Sequence, residues 1–117
     1  MTPMFRWCAR AVLATALLAG GRARAAAPRV IDISAKRFEF NPKEVRIHKG
    51  ETVTLRVTSA DATHGFFQKP LGIDLTIDKG KTEEVTLTPQ QAGRYTVICD
   101  HFCGAGHGNM HLDIVVE

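Results

Sequence analysis

Four residues near the C-terminus stand out because their side chains are soft metal ligands at short, fixed intervals. They are Cys99, Cys103, His107 and Met110, spaced Cys-x3-Cys-x3-His-x2-Met. Thiolate, imidazole and thioether on one loop form a donor set suited to copper. A methionine thioether argues against zinc, which takes thiolate, imidazole and carboxylate. Gly104, Gly106 and Gly108 lie between the donors, and glycine permits the tight backbone path that brings separated side chains to one point. The competing reading is a plain disulfide between Cys99 and Cys103, the usual fate of two cysteines in an oxidising compartment. A copper site of this kind wants another imidazole from outside the loop. His64, in Ala62-Thr-His-Gly-Phe-Phe67, is the candidate. His48 stands in a Lys-Gly turn and reads as solvated. His111 reads as a rim residue, and Phe66 or Phe67 as core or as an apolar rim beside the metal.

Short alternating runs dominate the chain that must position these donors. Val30–Ile33, Arg37–Phe40, Val45–Ile47, Val53–Ser59, Leu75–Ile77, Val85–Leu87, Arg94–Cys99 and Leu112–Val116 read as strands. In the fourth run Val53, Leu55 and Val57 face one way and Thr52, Thr54, Arg56 and Thr58 the other, the period of a half-buried strand. No long window after Ala27 repeats apolar residues at helical spacing. Seven or eight short strands with turn signals such as Asn41-Pro42 and Asp78-Lys-Gly80 predict an all-β, antiparallel sandwich or barrel. In this scheme His64 lies on a loop leaving a strand. The long loop from Asp100 to His111 is too poor in bulky apolar residues to hold itself, so a metal is expected to hold it.

The first 25 residues carry a different signal. Arg6 and Arg10 precede an uncharged apolar run, Ala11 to Gly21, and Ala23-Arg-Ala25 supplies small residues at the positions a signal peptidase reads. This predicts an export signal over residues 1–25, cleaved after Ala25, and a single domain over residues 26–117. The apolar run is shorter than the roughly 20 residues of a spanning helix, so no lasting membrane anchor is expected. The chain's net charge of +3 comes from this segment, which holds four arginines and no acid. From Ala26 onward there are 11 basic and 12 acidic side chains. The basic balance therefore carries no implication for nucleic acid. Cys8 lies in the same segment, leaving Cys99 and Cys103 as the pair that matters.

Together, Phe40-Asn-Pro, Glu44-Val-Arg-Ile-His-Lys-Gly50, Thr63-His-Gly-Phe66 and Pro89 to Val116 resemble the soluble copper domain of cytochrome c oxidase subunit II, closest to the B-type oxidases. The resemblance covers nearly all of residues 26–117. It implies a Greek-key cupredoxin fold and a binuclear CuA-type centre. Two thiolates, Cys99 and Cys103, would bridge two copper ions. His64, His107, Met110 and the backbone carbonyl of His101 would complete the site. The implied role is electron transfer in the periplasm, between cytochrome c or another redox protein and a terminal oxidase or reductase, with no substrate bond broken. His101 stands where such subunits often have Glu or Gln. Two other readings use the same loop. One is a copper-binding and delivery protein that also uses His101 and His111. The other is a mononuclear blue-copper protein with His64, Cys103, His107 and Met110 as ligands.

Overall fold

The computed structural model describes residues 27–117, so the export signal predicted over residues 1–25 lies outside the described residues. Nine strands form among the described residues: β1 (Arg29–Lys36), β2 (Glu39–Asn41), β3 (Glu44–Ile47), β4 (Val53–Ser59), β5 (His64–Gln68), β6 (Ile73–Ile77), β7 (Thr82–Leu87), β8 (Gly93–Ile98) and β9 (His111–Val116). They make a four-stranded sheet in the order β2-β1-β4-β7 and a five-stranded sheet in the order β3-β9-β8-β5-β6. The expectation of an all-β sandwich holds. The strand that the alternation missed is β5, whose burial is continuous over His64, Gly65 and Phe66. It lies between β8 and β6 within a sheet, and its first residues run beneath the loop that follows β8. With both faces covered, such a strand shows no two-residue period.

Two further differences come from non-local pairing. The sheets are mixed, because β1 runs parallel to β4 and β3 parallel to β9. Arg37 and Phe38 form the turn between β1 and β2, although their sequence reads as strand. Of the two phenylalanines in that run, Phe40 enters the core and Phe38 stays 40% exposed.

The core fills the space between the sheets. Alternate residues of β4 (Val53, Leu55, Val57) and β9 (Leu112, Ile114, Val116) point into it. Phe40 of β2 meets Phe66 of β5 edge to face across the sandwich, centroids 5.3 Å apart at 87°, a favoured aromatic geometry. On the outer face of the first sheet, Thr54 and Thr86 pair through their hydroxyls at 2.8 Å, as do Thr58 and Thr82 at 2.7 Å.

The two faces of β4 should respond differently to truncation. Leu55→Ala removes a fully buried side chain and should cost about 2–5 kcal/mol. Thr54→Ala loses one cross-strand pair and should cost under about 1 kcal/mol. Urea unfolding of the two variants measures the difference, and comparable losses would contradict this assignment of faces.

Candidate metal centre

All the described donors converge at one end of the sandwich, for a reason that lies in strand order. β8 and β9 are antiparallel neighbours, so the loop joining them leaves and re-enters the sheet at the same end. The amide of Cys99, one residue past β8, donates to the carbonyl of Met110, one residue before β9, at 3.2 Å. The loop is thus closed at its base. β5 is antiparallel to β8 and pairs with it at Phe67 and Ile98. It therefore begins where β8 ends, and its first residue, His64, arrives beneath the loop.

Burial and distance then define the site. His64 is 0% exposed, Cys99 3%, Cys103 6% and Met110 1%. The two cysteine sulfurs are 3.9 Å apart. That is well beyond the roughly 2.05 Å of a disulfide, and no disulfide joins them. Cys99 Sγ lies 4.0 Å from His64 Nδ1, and Cys103 Sγ 4.0 Å from Met110 Sδ. The ligand atoms of His64, Cys99 and Cys103 all fall within 4.8 Å of one another. The carbonyl of His101 faces Cys99 Sγ at 3.2 Å. Two thiolates on a tetrahedral metal, each about 2.3 Å from it, stand about 3.8 Å apart, so the observed spacing fits shared coordination. The chemistry of the set, two sulfurs with a thioether and an imidazole, fits copper.

The structure thus brings His64, Cys99, Cys103, Met110 and the His101 carbonyl together. His64 is the first residue of a strand, not a loop residue as the alternation suggested. The backbone of His107 opens a short 3-10 turn, His107–Asn109; its side chain lies outside what the structure describes. The His101 ring is exposed, beside a groove of about 350 Å³ that opens over Cys103 between Arg37, Thr63 and Phe102. His111 is exposed and its Nδ1 meets the Asn109 carbonyl at 3.0 Å. His48 is exposed as expected. The apolar rim is made by Phe102, 75% exposed, and Phe38, whereas Phe66 is wholly core.

Sequence reasoning missed the residues that orient the donors. Asp61 Oδ1 accepts from His64 Nε2 at 2.8 Å. This fixes the tautomer in which Nδ1, the nitrogen facing Cys99, is free to ligate. Asp61 Oδ2 accepts the Arg37 amide at 2.8 Å, and that bond does most to hold the carboxyl below its ordinary range; the bond from His64 adds to it. Its signal in the sequence is a carboxylate three residues before a candidate ligand histidine, too common a pattern to stand out. The amide of Gly65 donates to Cys99 Sγ at 3.3 Å. A Cβ on Gly65 would meet the backbone nitrogens of Asp100 and His101 at 2.8 and 2.9 Å, so only glycine lets β5 pass this close under the loop. Gly104 has φ +143°, and a Cβ there would strike the Phe38 ring at 2.8 Å. The expectation that Gly108 is needed for the backbone path is not met, since it has open space around it and no positive φ.

This fold and donor arrangement define a cupredoxin, and the chain belongs to the Cupredoxin-like domain family, whose profile it matches over residues 9–115. Within that class it is homologous to subunit 2 of cytochrome c oxidase. It is 32% identical over 85 residues to the Thermus thermophilus protein, an alignment covering 73% of this chain and 63% of that one. It is also 30% identical over 91 residues to the nitrous-oxide reductase of Cupriavidus necator, across 74% of this chain and 14% of the reductase. The chain thus spans less than two thirds of the length of either relative. The crystal structure of the periplasmic domain of subunit II of cytochrome oxidase (CoxB) of Bradyrhizobium japonicum superposes with a TM-score of 0.70, at 18% identity, over 76% of this chain and 83% of that domain. That likeness shows the same fold.

Burial, and then the charge of the neighbouring Cys99, push the Cys103 thiol up from 9.0 to about 11. The folded metal-free protein therefore keeps a proton that the unfolded chain gives up. Stability contributed by this group is full below about pH 9 and is lost as pH rises toward 11. The urea midpoint of metal-free protein should fall over that interval, and Cys103→Ser should fall less steeply. Equal slopes for the two proteins would contradict the raised thiol.

Proposed function

We propose that this chain is an exported electron carrier with a binuclear CuA-type copper centre. Cys99 and Cys103 are the bridging thiolates. His64, His107, Met110 and the His101 carbonyl are the remaining ligands. The observation that carries this reading is the pair of buried cysteine sulfurs 3.9 Å apart with no disulfide between them, and an imidazole nitrogen and a thioether sulfur each 4.0 Å from one of them. A mononuclear blue-copper site needs one cysteine and would leave the other as an idle buried thiol.

Copper held by these residues would supply a one-electron redox site, with Cys99 and Cys103 as its thiolate ligands. The work of this chain's residues is to keep the ligands still while that charge changes. Cys99 and Met110 are tied by the bond that closes the loop base. His64 is held from behind by Asp61. The amide of Gly65 donates to the Cys99 sulfur and stabilises its negative charge. Burial of all the described side-chain donors keeps water from rearranging around them, which lowers the barrier to electron exchange. No nucleophile or general base is required, and the role is that of a carrier. Its relatives include a cytochrome c oxidase subunit and a nitrous-oxide reductase, which supports cytochrome c or another periplasmic redox protein as donor and a terminal oxidase or reductase as acceptor. Among the described residues no helix is long and apolar enough to cross a membrane.

A copper-delivery role is the second reading, favoured by the exposed imidazoles of His101 and His111 beside the loop. Copper-loaded protein should hold two coppers per chain and give a seven-line spin-resonance pattern, which Cys99→Ser should abolish. One copper with a four-line pattern would overturn the binuclear reading in favour of a blue-copper site. Through cycles of ascorbate and oxidant beside a copper(I) chelator, a carrier keeps its copper. Rapid loss on reduction, with electron exchange to cytochrome c no faster than background, would reverse the choice to delivery.

A further inference from the structure

Arg37 sits in the turn between β1 and β2 and reaches the metal site along two routes. Its backbone amide donates to Asp61 Oδ2 at 2.8 Å, and the other oxygen of that carboxylate holds His64 Nε2 at 2.8 Å. Its Nε donates to the carbonyl of Cys103 at 2.8 Å. One residue therefore joins the back of the His64 imidazole to the backbone of the second cysteine.

The sheet leaves this distance open. β5 and β8 are paired only at Phe67 and Ile98, three residues short of His64. Cys103 lies farther still, on irregular backbone beyond β8. The β1–β2 turn closes the gap from the side. Phe38 adds a steric clamp, since its ring lies so close to Gly104 and Gly106 that a Cβ on either would meet it at 2.8 and 2.7 Å. The planar guanidinium places Nε at a fixed point on the stem, which a lysine ammonium cannot reproduce.

We propose that Arg37 is a positioning residue for the copper centre, setting the spacing between the His64 and Cys103 donors through its paired bonds to Asp61 and to the Cys103 carbonyl. This rests on the copper-binding reading above. Every substitution except proline keeps the backbone arm to Asp61, so Arg37→Ala removes only the arm to Cys103. Asp61→Asn removes one of the two acceptor oxygens that the other arm needs.

The experiment loads the full chain with copper and compares wild type, Arg37→Ala, Arg37→Lys and Asp61→Asn. Its readouts are the spin-resonance hyperfine pattern and the rate of copper loss to a copper(I) chelator. Arg37→Ala should still bind copper but show an altered hyperfine pattern and lose copper about tenfold faster, the scale of one charge-assisted hydrogen bond. Arg37→Lys should not restore either property, and Asp61→Asn should change both in the same direction. Should Arg37→Ala fail to fold, Arg37→Met keeps the apolar stem and removes only the donor. Loaded wild type and Arg37→Ala (or Arg37→Met) with the same spectrum and release rate would overturn the positioning role alone. A wild-type chain that takes up no copper would overturn both the role and the reading beneath it.

Discussion

Two thiols held 3.9 Å apart in the interior without a disulfide between them form the constraint on which this structure turns. Sulfurs at that distance in an oxidising compartment tend toward a disulfide, and buried thiolates repel one another. Neither tendency helps the isolated fold. The pair makes physical sense as the inner edge of a cation site, where positive charge replaces both protons and the metal's bonds fix the separation. The Gly65 amide facing Cys99 Sγ belongs to the same logic, since it is a fixed donor waiting for negative charge on sulfur.

A β-sandwich solves the positioning problem by placing strand ends rather than strand interiors at the site. His64 begins a strand, Cys99 follows one and Met110 precedes one. Each thus takes its position from a rigid ladder while its own backbone escapes the ladder's geometry. The cross-sheet contact of Phe40 with Phe66 fixes β2 over β5, and with it the β1–β2 turn over the loop. Ser59 continues the same scheme. Its hydroxyl bonds the Ala62 carbonyl and its amide the Lys81 carbonyl, so the segment that carries Asp61 is tied to the sheet just before it reaches His64. The other members of the site hang from these few fixed points.

The donor loop was legible in the sequence because metal ligation depends on residue type and short spacing, and both are written locally. The long alternating strands were legible for the same reason, since β4 alternates over seven residues. What was hidden depends on distant partners. β5 shows no alternation because a loop 35 residues later covers it. The parallel pairs β1–β4 and β3–β9 leave no mark on either strand. Arg37 and Phe38 read as strand because Phe38 and Phe40 sit two apart. Only the fold shows that Phe38 belongs to a turn and packs on Gly104 and Gly106. Asp61 has an ordinary composition-level identity and acquires its role from the Arg37 amide and the His64 ring. Candidate ligands are therefore readable from sequence, whereas the residues that hold them are set by topology.

The same distinction bears on whether such a site suits electron transfer or metal release. Electron transfer is fast when little moves, and release needs a ligand that can swing out. His64, Cys99, Cys103 and Met110 are buried and individually restrained: Asp61 behind the histidine, the Cys99–Met110 backbone bond at the loop base, and Arg37 on the Cys103 carbonyl. Freeing His64 breaks its bond to Asp61, the backbones that carry the three sulfurs are each held by a hydrogen bond, and Arg37 links the two groups, because it bonds both Asp61 and the Cys103 carbonyl. The exposed imidazoles of His101 and His111 stand outside that network. A centre whose donors are buried and restrained, with its extra imidazoles only at the rim, is suited to change charge without changing shape, which is the physical requirement of a carrier.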